Sequence, residues 1–263
     1  MRPAPRAGIM DGSMSAWTPG MCRRSWGRPL PFRLVPRLEF DTKGDSTMSE
    51  QTVMSEQPLS AEEEIRGLVE RSRAAQAQIE NYTQEQVDTL IRAMVWVTSR
   101  PGVAEEIARF TVEETQLGNY DGKYLKIHRK TRATLMDIID DKSVGIIEEL
   151  PERNIVKIAK PMGVIGALCP STNPEATPVI KAMSAVKGRN SIILAPHPRA
   201  KRTNKMICDL MREALEKFGA PADLVIGIEE PSLETTNELM RQCDRVLATG
   251  GGAMVKAAYS SGT

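Results

Sequence analysis

A doubly wound α/β fold, with a parallel sheet behind an all-helical prelude, is predicted by three observations on this 263-residue sequence. Four short runs, Val164–Leu168, Ser191–Ala195, Leu224–Ile228 and Arg245–Ala248, have the length and bounding turns of strands. A segment of helical period follows each of them: Ala176–Val186, Arg202–Phe218, Ser232–Arg241 and Gly252–Ser260. Strands alternating with helices of this length argue for parallel βαβ units with right-handed crossovers. Upstream, from Ser60 to Ile139, only helical period is found.

The elements can be justified in order. Residues 1–58 are dense in Pro and Gly and keep no period, so they are expected to be a disordered extension. Met48 and Met54 both begin Met-Ser-Glu, as a natural start would, which suggests an upstream start codon assigned in error. From Ser60, a capping hydroxyl and three acids open a helix whose apolar stripe starts at Ile65, Leu68 and Val69. Thr83 and Gln86 form a capping-box pattern for a helix reaching Ser99, where Pro101 breaks it. A third helix fits Val103–Thr115 and stops at Gly118, and a fourth fits Asp121–Ile139. Val144–Leu150 and Asn154–Lys160 read as a hairpin around Pro151-Glu152-Arg153. The expected organisation is therefore an extension (1–58), a helical part (59–142), a hairpin (143–160) and a Rossmann-like half (161–263).

Composition bounds the function. Hydrophobic residues make up 41% and charged residues 26%, as in ordinary globular proteins, while aromatics at 4% leave the core to aliphatic side chains. Residues 1–37 hold seven Arg against Asp11; the remainder holds 28 basic and 33 acidic residues, so the folded part is mildly acidic. Nothing there suggests a nucleic-acid surface, and no apolar run approaches the ~20 residues that span a bilayer. Cys22, Cys169, Cys208 and Cys243 form no CxxC pair, and with His128 and His197 alone no metal site is indicated. Reduced thiols and a cytoplasmic location are expected.

Three turns carry candidate chemistry, because α/β proteins place ligands at the carboxyl ends of strands. Pro170-Ser171-Thr172-Asn173-Pro174 follows the first strand, and Asn173 offers an amide donor to a developing oxyanion. It also reads as an Asx turn leading into the helix at Pro174. Pro196-His197-Pro198-Arg199 follows the second strand, where an adenosine ribose commonly lies; a rigid Pro-flanked turn explains it equally. Thr249-Gly250-Gly251-Gly252 follows the fourth strand and opens a helix, a place for a phosphate or simply a supple turn. Lys181, on the first helix of this half, reads from position alone as a solvated lysine.

Together, Pro161-Met-Gly-Val-Ile-Gly, Pro170-Ser-Thr-Asn-Pro, Ala195-Pro-His-Pro-Arg-Ala, and Ala248-Thr-Gly-Gly with Met254-Val-Lys-Ala-Ala-Tyr-Ser-Ser-Gly resemble the aldehyde dehydrogenase superfamily in its CoA-acylating branch. The likeness is close from about 160 to 263, looser from about 60, and gives residues 1–58 no counterpart. It implies that Asn173 is the oxyanion-stabilising asparagine and that Pro170 and Thr172 border the nicotinamide. It also implies that Lys181 faces the nicotinamide ribose and that Thr249, Gly250 and Gly251 hold the pyrophosphate. His197, Pro198 and Arg199 stand where the hydrolytic branch begins its adenosine clamp; that branch's lysine is Ala195 here, which leaves NAD and NADP both open. The resemblance implies an oxidoreductase that converts a small aldehyde, sulfoacetaldehyde or acetaldehyde, into its acyl-CoA with NAD(P)+ and coenzyme A, acting as a homo-oligomer through the hairpin. The family's nucleophilic cysteine belongs to a second domain beyond Gly262, and none of the four cysteines matches it. The sequence thus reads as a truncated cofactor domain, inactive by itself. The alternative is a non-catalytic paralogue that binds a nucleotide or a partner.

Overall fold

The computed structural model describes residues 59–262. The expected extension lies outside the described residues. Helix α1 (Ala61–Ile79) starts at Ser60 with a full capping box to Glu63, and α2 (Gln84–Ser99) does the same with Thr83 and Gln86. Helix α3 (Val103–Thr115) ends one turn before Gly118, because Gln116 takes the left-handed conformation at φ 55°. The fourth expected helix begins at Tyr120, capped by Asn119, and is not uniform. It runs as α4 (Tyr120–Lys126), a π-helical turn (Ile127–Thr131) and α5 (Arg132–Ile138). Strands β1 (Gly145–Leu150) and β2 (Ile155–Ala159) pair antiparallel around Asn154, which is left-handed at φ 53°.

The remaining elements are β3 (Val164–Cys169), α6 (Thr177–Lys187), β4 (Ser191–Pro196), α7 (Lys201–Lys217), β5 (Val225–Gly227), α8 (Leu233–Gln242), β6 (Arg245–Ala248) and α9 (Gly252–Tyr259). Their parallel sheet has the order β5-β4-β3-β6. The chain walks outward from β3 to β5 and then returns to the other side of β3. The alternation of side chains along each strand divides the core accordingly. Ile165, Ala167 and Cys169 of β3, with Ile192 and Leu194 of β4, join α2, α6 and α7 in one apolar cluster. Val164, Leu168, Ile193 and Ala195 join α1 and α8 in another. Gly166 sits where α8 comes closest: a Cβ there would stand 2.7 Å from Cys243 Sγ and 3.1 Å from Leu239 Cγ.

Helix α1 is fastened to residues far along the chain. Arg71 pairs with Asp223 at 2.9 Å, Arg73 pairs with Asp244 at 2.9 Å, and Ser72 donates to Ser191 Oγ at 2.8 Å. The hairpin is different in kind. Ile146, Ile147, Ile155, Val156 and Ile158 are all exposed on it. Among the described residues, no helix is long and apolar enough to cross a membrane.

Candidate functional site

Reversing direction at β3 leaves a crevice beyond its carboxyl end, between the turns that follow β3, β4 and β6. A cleft of about 720 Å³ opens there, within the usual size of small-molecule sites. Leu168, Ala195, Leu233 and Met254 supply apolar wall. Pro170, Thr172, Asn173, His197, Pro198, Thr249, Gly250 and Gly251 all line it, so the three turns converge in space. Arg199 is exposed and does not line it; its backbone N–H donates to His197 Nδ1 at 3.1 Å. With Nδ1 accepting, a neutral His197 ring keeps its proton on Nε2, a donor suited to a ribose hydroxyl.

The segment from Ser171 to Ala176 is a turn, and α6 starts only at Thr177, so Pro174 is not the helix start that the Asx-turn reading expected. The carbonyl of Asn173 instead accepts the N–H of Thr177 at 3.0 Å. Its side chain is half-buried, with Oδ1 accepting from Lys126 Nζ at 2.8 Å and Nδ2 donating to Thr172 Oγ1 at 3.3 Å. Behind the turn, Glu175 is wholly buried. Its Oε2 lies 3.2 Å from Lys123 Nζ, which also donates to Thr172 O at 2.8 Å, and its Oε1 lies 3.9 Å from Lys126 Nζ. Sequence reasoning missed this cluster. The available signal was an acid directly after Asn-Pro and two lysines three apart on the Asn119-capped helix.

Lys181 is neither solvated nor part of the cleft wall. It is 5% exposed, and its ammonium donates to Leu168 O at 2.6 Å and Leu247 O at 2.7 Å. It ties the ends of β3 and β6 together beneath the cleft. Burial draws its pKa below the usual lysine range. The resemblance implied a lysine facing the nicotinamide ribose; here its ammonium is held by two main-chain carbonyls.

The donor set fits a dinucleotide phosphate at α9. Its N-cap, Gly251, makes no side-chain cap, and a Cβ at Gly251 or Gly252 would meet nothing. Among the described residues, no side chain caps the first-turn N–H groups at the positive end of the helix dipole. The helices after β4 and β5 start otherwise. Glu114 accepts the N–H groups of Arg202 and Thr203 of α7, each at 2.7 Å, and Ser232 caps α8 through Thr235 N. None of the three described cysteines has a nucleophile's surroundings. Burial pushes the Cys169 thiol up to about 11, and raises those of Cys208 and Cys243.

Compared with known proteins, the chain matches the aldehyde dehydrogenase family over residues 45–263. It belongs to that family. The match starts at residue 45, so residues 45–58, expected to have no counterpart, fall inside it. The chain is 51% identical over 199 residues to a sulfoacetaldehyde dehydrogenase of Acholeplasma sp, covering 76% of this chain and 41% of that one. It is 48% identical over 204 residues to an acetylating succinate-semialdehyde dehydrogenase of Clostridium kluyveri, covering 78% and 45%. The structure of an acetylating aldehyde dehydrogenase from Geobacillus thermoglucosidasius superposes with a TM-score of 0.74 at 40% identity, covering 77% of this chain and 45% of that one. A Rhodopseudomonas palustris propionaldehyde dehydrogenase, 31% identical with a TM-score of 0.66 over 76% of this chain and 45% of its own, carries CoA and an acylated cysteine. An engineered glycolyl-CoA reductase, 30% identical with the same TM-score and coverage, carries NADP+. The resemblance to the acylating branch is borne out. The chain spans less than half the length of the curated relatives described.

Proposed function

We propose that this chain is the dinucleotide-binding part of a CoA-acylating aldehyde dehydrogenase that oxidises a small aldehyde, with sulfoacetaldehyde or acetaldehyde favoured. The observation that carries the proposal is the convergence of the Asn173, His197 and Thr249 turns on one cleft beside an uncapped helix start. The roles follow from chemistry at each position. The N–H groups at the start of α9, with Gly250 and Gly251 keeping the backbone open, hold the pyrophosphate of NAD or NADP. Pro170 and Thr172 border its nicotinamide end, and Pro198 with the Nε2–H of His197 takes the adenosine ribose. Once bound, the dinucleotide supplies the hydride acceptor. Asn173 Nδ2 donates to the aldehyde oxygen as it becomes an oxyanion, a contact that strengthens as charge develops. Lys181 fixes the floor beneath both.

The thiol nucleophile is not one of the described cysteines, so it comes from outside residues 59–262. Coenzyme A then takes the acyl group from that thiol. A homo-oligomer formed through the exposed hairpin and a cytoplasmic location complete the proposal. The three free cysteines among the described residues and the apolar residues on β1 and β2 support them. The experiment is CoA-dependent reduction of NAD+ and of NADP+ by the complete reading frame that contains this chain, over a panel of sulfoacetaldehyde, acetaldehyde and succinic semialdehyde. Turnover with the first or second aldehyde, lost in Asn173→Ala, is expected. Dinucleotide binding with no CoA-dependent turnover on any aldehyde would leave the non-catalytic alternative standing.

A further inference from the structure

We infer that Lys126 is a positioning residue for the oxyanion amide: its ammonium fixes which way the Asn173 side chain faces and strengthens the N–H that the cleft receives. The inference rests on the role proposed for Asn173 but starts from a separate observation. Lys126 Nζ donates to Asn173 Oδ1 at 2.8 Å. An ammonium has three donors and no acceptor, so only the oxygen edge of the amide can meet it. The NH2 edge is thereby left as the one available to the cleft. One of its protons goes to Thr172 Oγ1 across 3.3 Å, and the other remains for a ligand oxygen. A turn of half a revolution about the last torsion would bring Oδ1 forward instead and oppose a developing negative charge. The positive charge of the ammonium beside Oδ1 also polarises the amide and makes its N–H a better donor.

The rest of the cluster holds Lys126 in place. Glu175 is wholly buried, and its Oε1 has no hydrogen-bond partner among the described residues but lies 3.9 Å from Lys126 Nζ. Lys123, itself 2% exposed, neutralises the other oxygen and grips the carbonyl of Thr172. Charge and geometry therefore converge from helix α4 onto one residue of the turn. Lys126 is the last residue of α4, directly before the π-helical turn that begins at Ile127. Such turns are frequent at functional sites. Because Lys123 keeps Glu175 paired, removing the Lys126 ammonium is expected to spare the fold.

The test has two arms. In the first, this chain is labelled with 15N, and the side-chain amide of Asn173 is assigned by its loss in Asn173→Asp. K126M is expected to move that amide pair toward the position of a solvated asparagine, and K126R to hold it near the wild-type position. An amide pair that does not respond to K126M overturns the inference. In the second, the complete reading frame is assayed with aldehyde and CoA. K126M is expected to lower kcat by about tenfold or more, with the dissociation constant for NADH unchanged and with K126R recovering most of the loss. An equal loss of kcat and NADH binding, unrecovered by K126R, would mean a general structural role and overturn it. If the wild-type frame shows no acylating turnover, the proposed function fails, and the amide shift alone decides whether Lys126 sets the Asn173 side chain.

Discussion

Replacing Lys181 with Met removes an ammonium while keeping the bulk of the side chain. Two charge-assisted hydrogen bonds are lost, to Leu168 O and Leu247 O, each worth about 1.5–3 kcal/mol. Leu168 O keeps the N–H of Thr249 at 3.2 Å, and among the described residues β6 pairs with β3 alone, so the tie between these two strand ends is what weakens. Against both stands the relief of burying a charge without a counter-ion. The net expectation is a loss of about 1–3 kcal/mol, read as a fall of roughly 0.5–1 M in the urea midpoint followed by circular dichroism. In the complete enzyme, cofactor affinity should fall about tenfold, because the turns holding Asn173 and Thr249 are no longer tied beneath the cleft. A pH series adds a signature with a definite sign. The folded pKa of Lys181 lies below the ordinary 10.5, so the burial penalty is complete below that folded value. It is relieved as pH rises through the folded value toward 10.5, where the unfolded chain binds more protons. Wild type should therefore gain stability relative to the Met variant across that alkaline window. A variant within about 0.5 kcal/mol of wild type, with unchanged cofactor affinity, would refute the reasoning.

Other outcomes are expected from the same geometry. Gly166→Ala should destabilise the fold by about 1–3 kcal/mol in urea melts, since its Cβ would press on Cys243 Sγ at 2.7 Å; a neutral result would mean that α8 slides freely. Partial burial works against ionisation of Asp223 and Asp244, but Arg71 and Arg212 around the first, and Arg73 and the Val164 N–H around the second, outweigh it and hold both below the usual 3.8. Their contribution to stability should be complete above that value and vanish as pH falls through the depressed pKa; an acid melt of Arg71→Ala with the same midpoint as wild type would contradict this for Asp223. Burial of Cys169 and Cys208 predicts that neither is alkylated by iodoacetamide at pH 8 in the folded chain. Mass spectrometry showing rapid labelling of either would show that the core opens.

The convergence of the three turns was legible because each directly follows a strand. A parallel sheet puts every such turn on one edge, so recognising alternation was enough to predict a shared rim. The helix starts at Ser60 and Thr83 were equally open to reading, since their caps are local. The residues behind the rim were not. Lys123 and Lys126 lie 52 and 47 residues from the partners they reach, and lysines on a helix normally read as solvated. Lys181 misled for the same reason: its position within α6 says nothing about which carbonyls the neighbouring strands leave exposed. The π-helical turn at Ile127–Thr131 has no marker in composition.

The clasp of α1 also sets an order of events during synthesis. Arg73 reaches Asp244 across 171 residues, and Arg71 reaches Asp223 across 152. At about 5–20 residues per second on a ribosome, the partner of Arg73 follows it by roughly 10–30 s. Helix α1 is thus made well before the residues that hold it in place. Through that interval, the apolar side of α1, with Ile65, Val69 and Ile79, waits for a sheet that has yet to be made. A chaperone that shields nascent chains would find a long task at this helix.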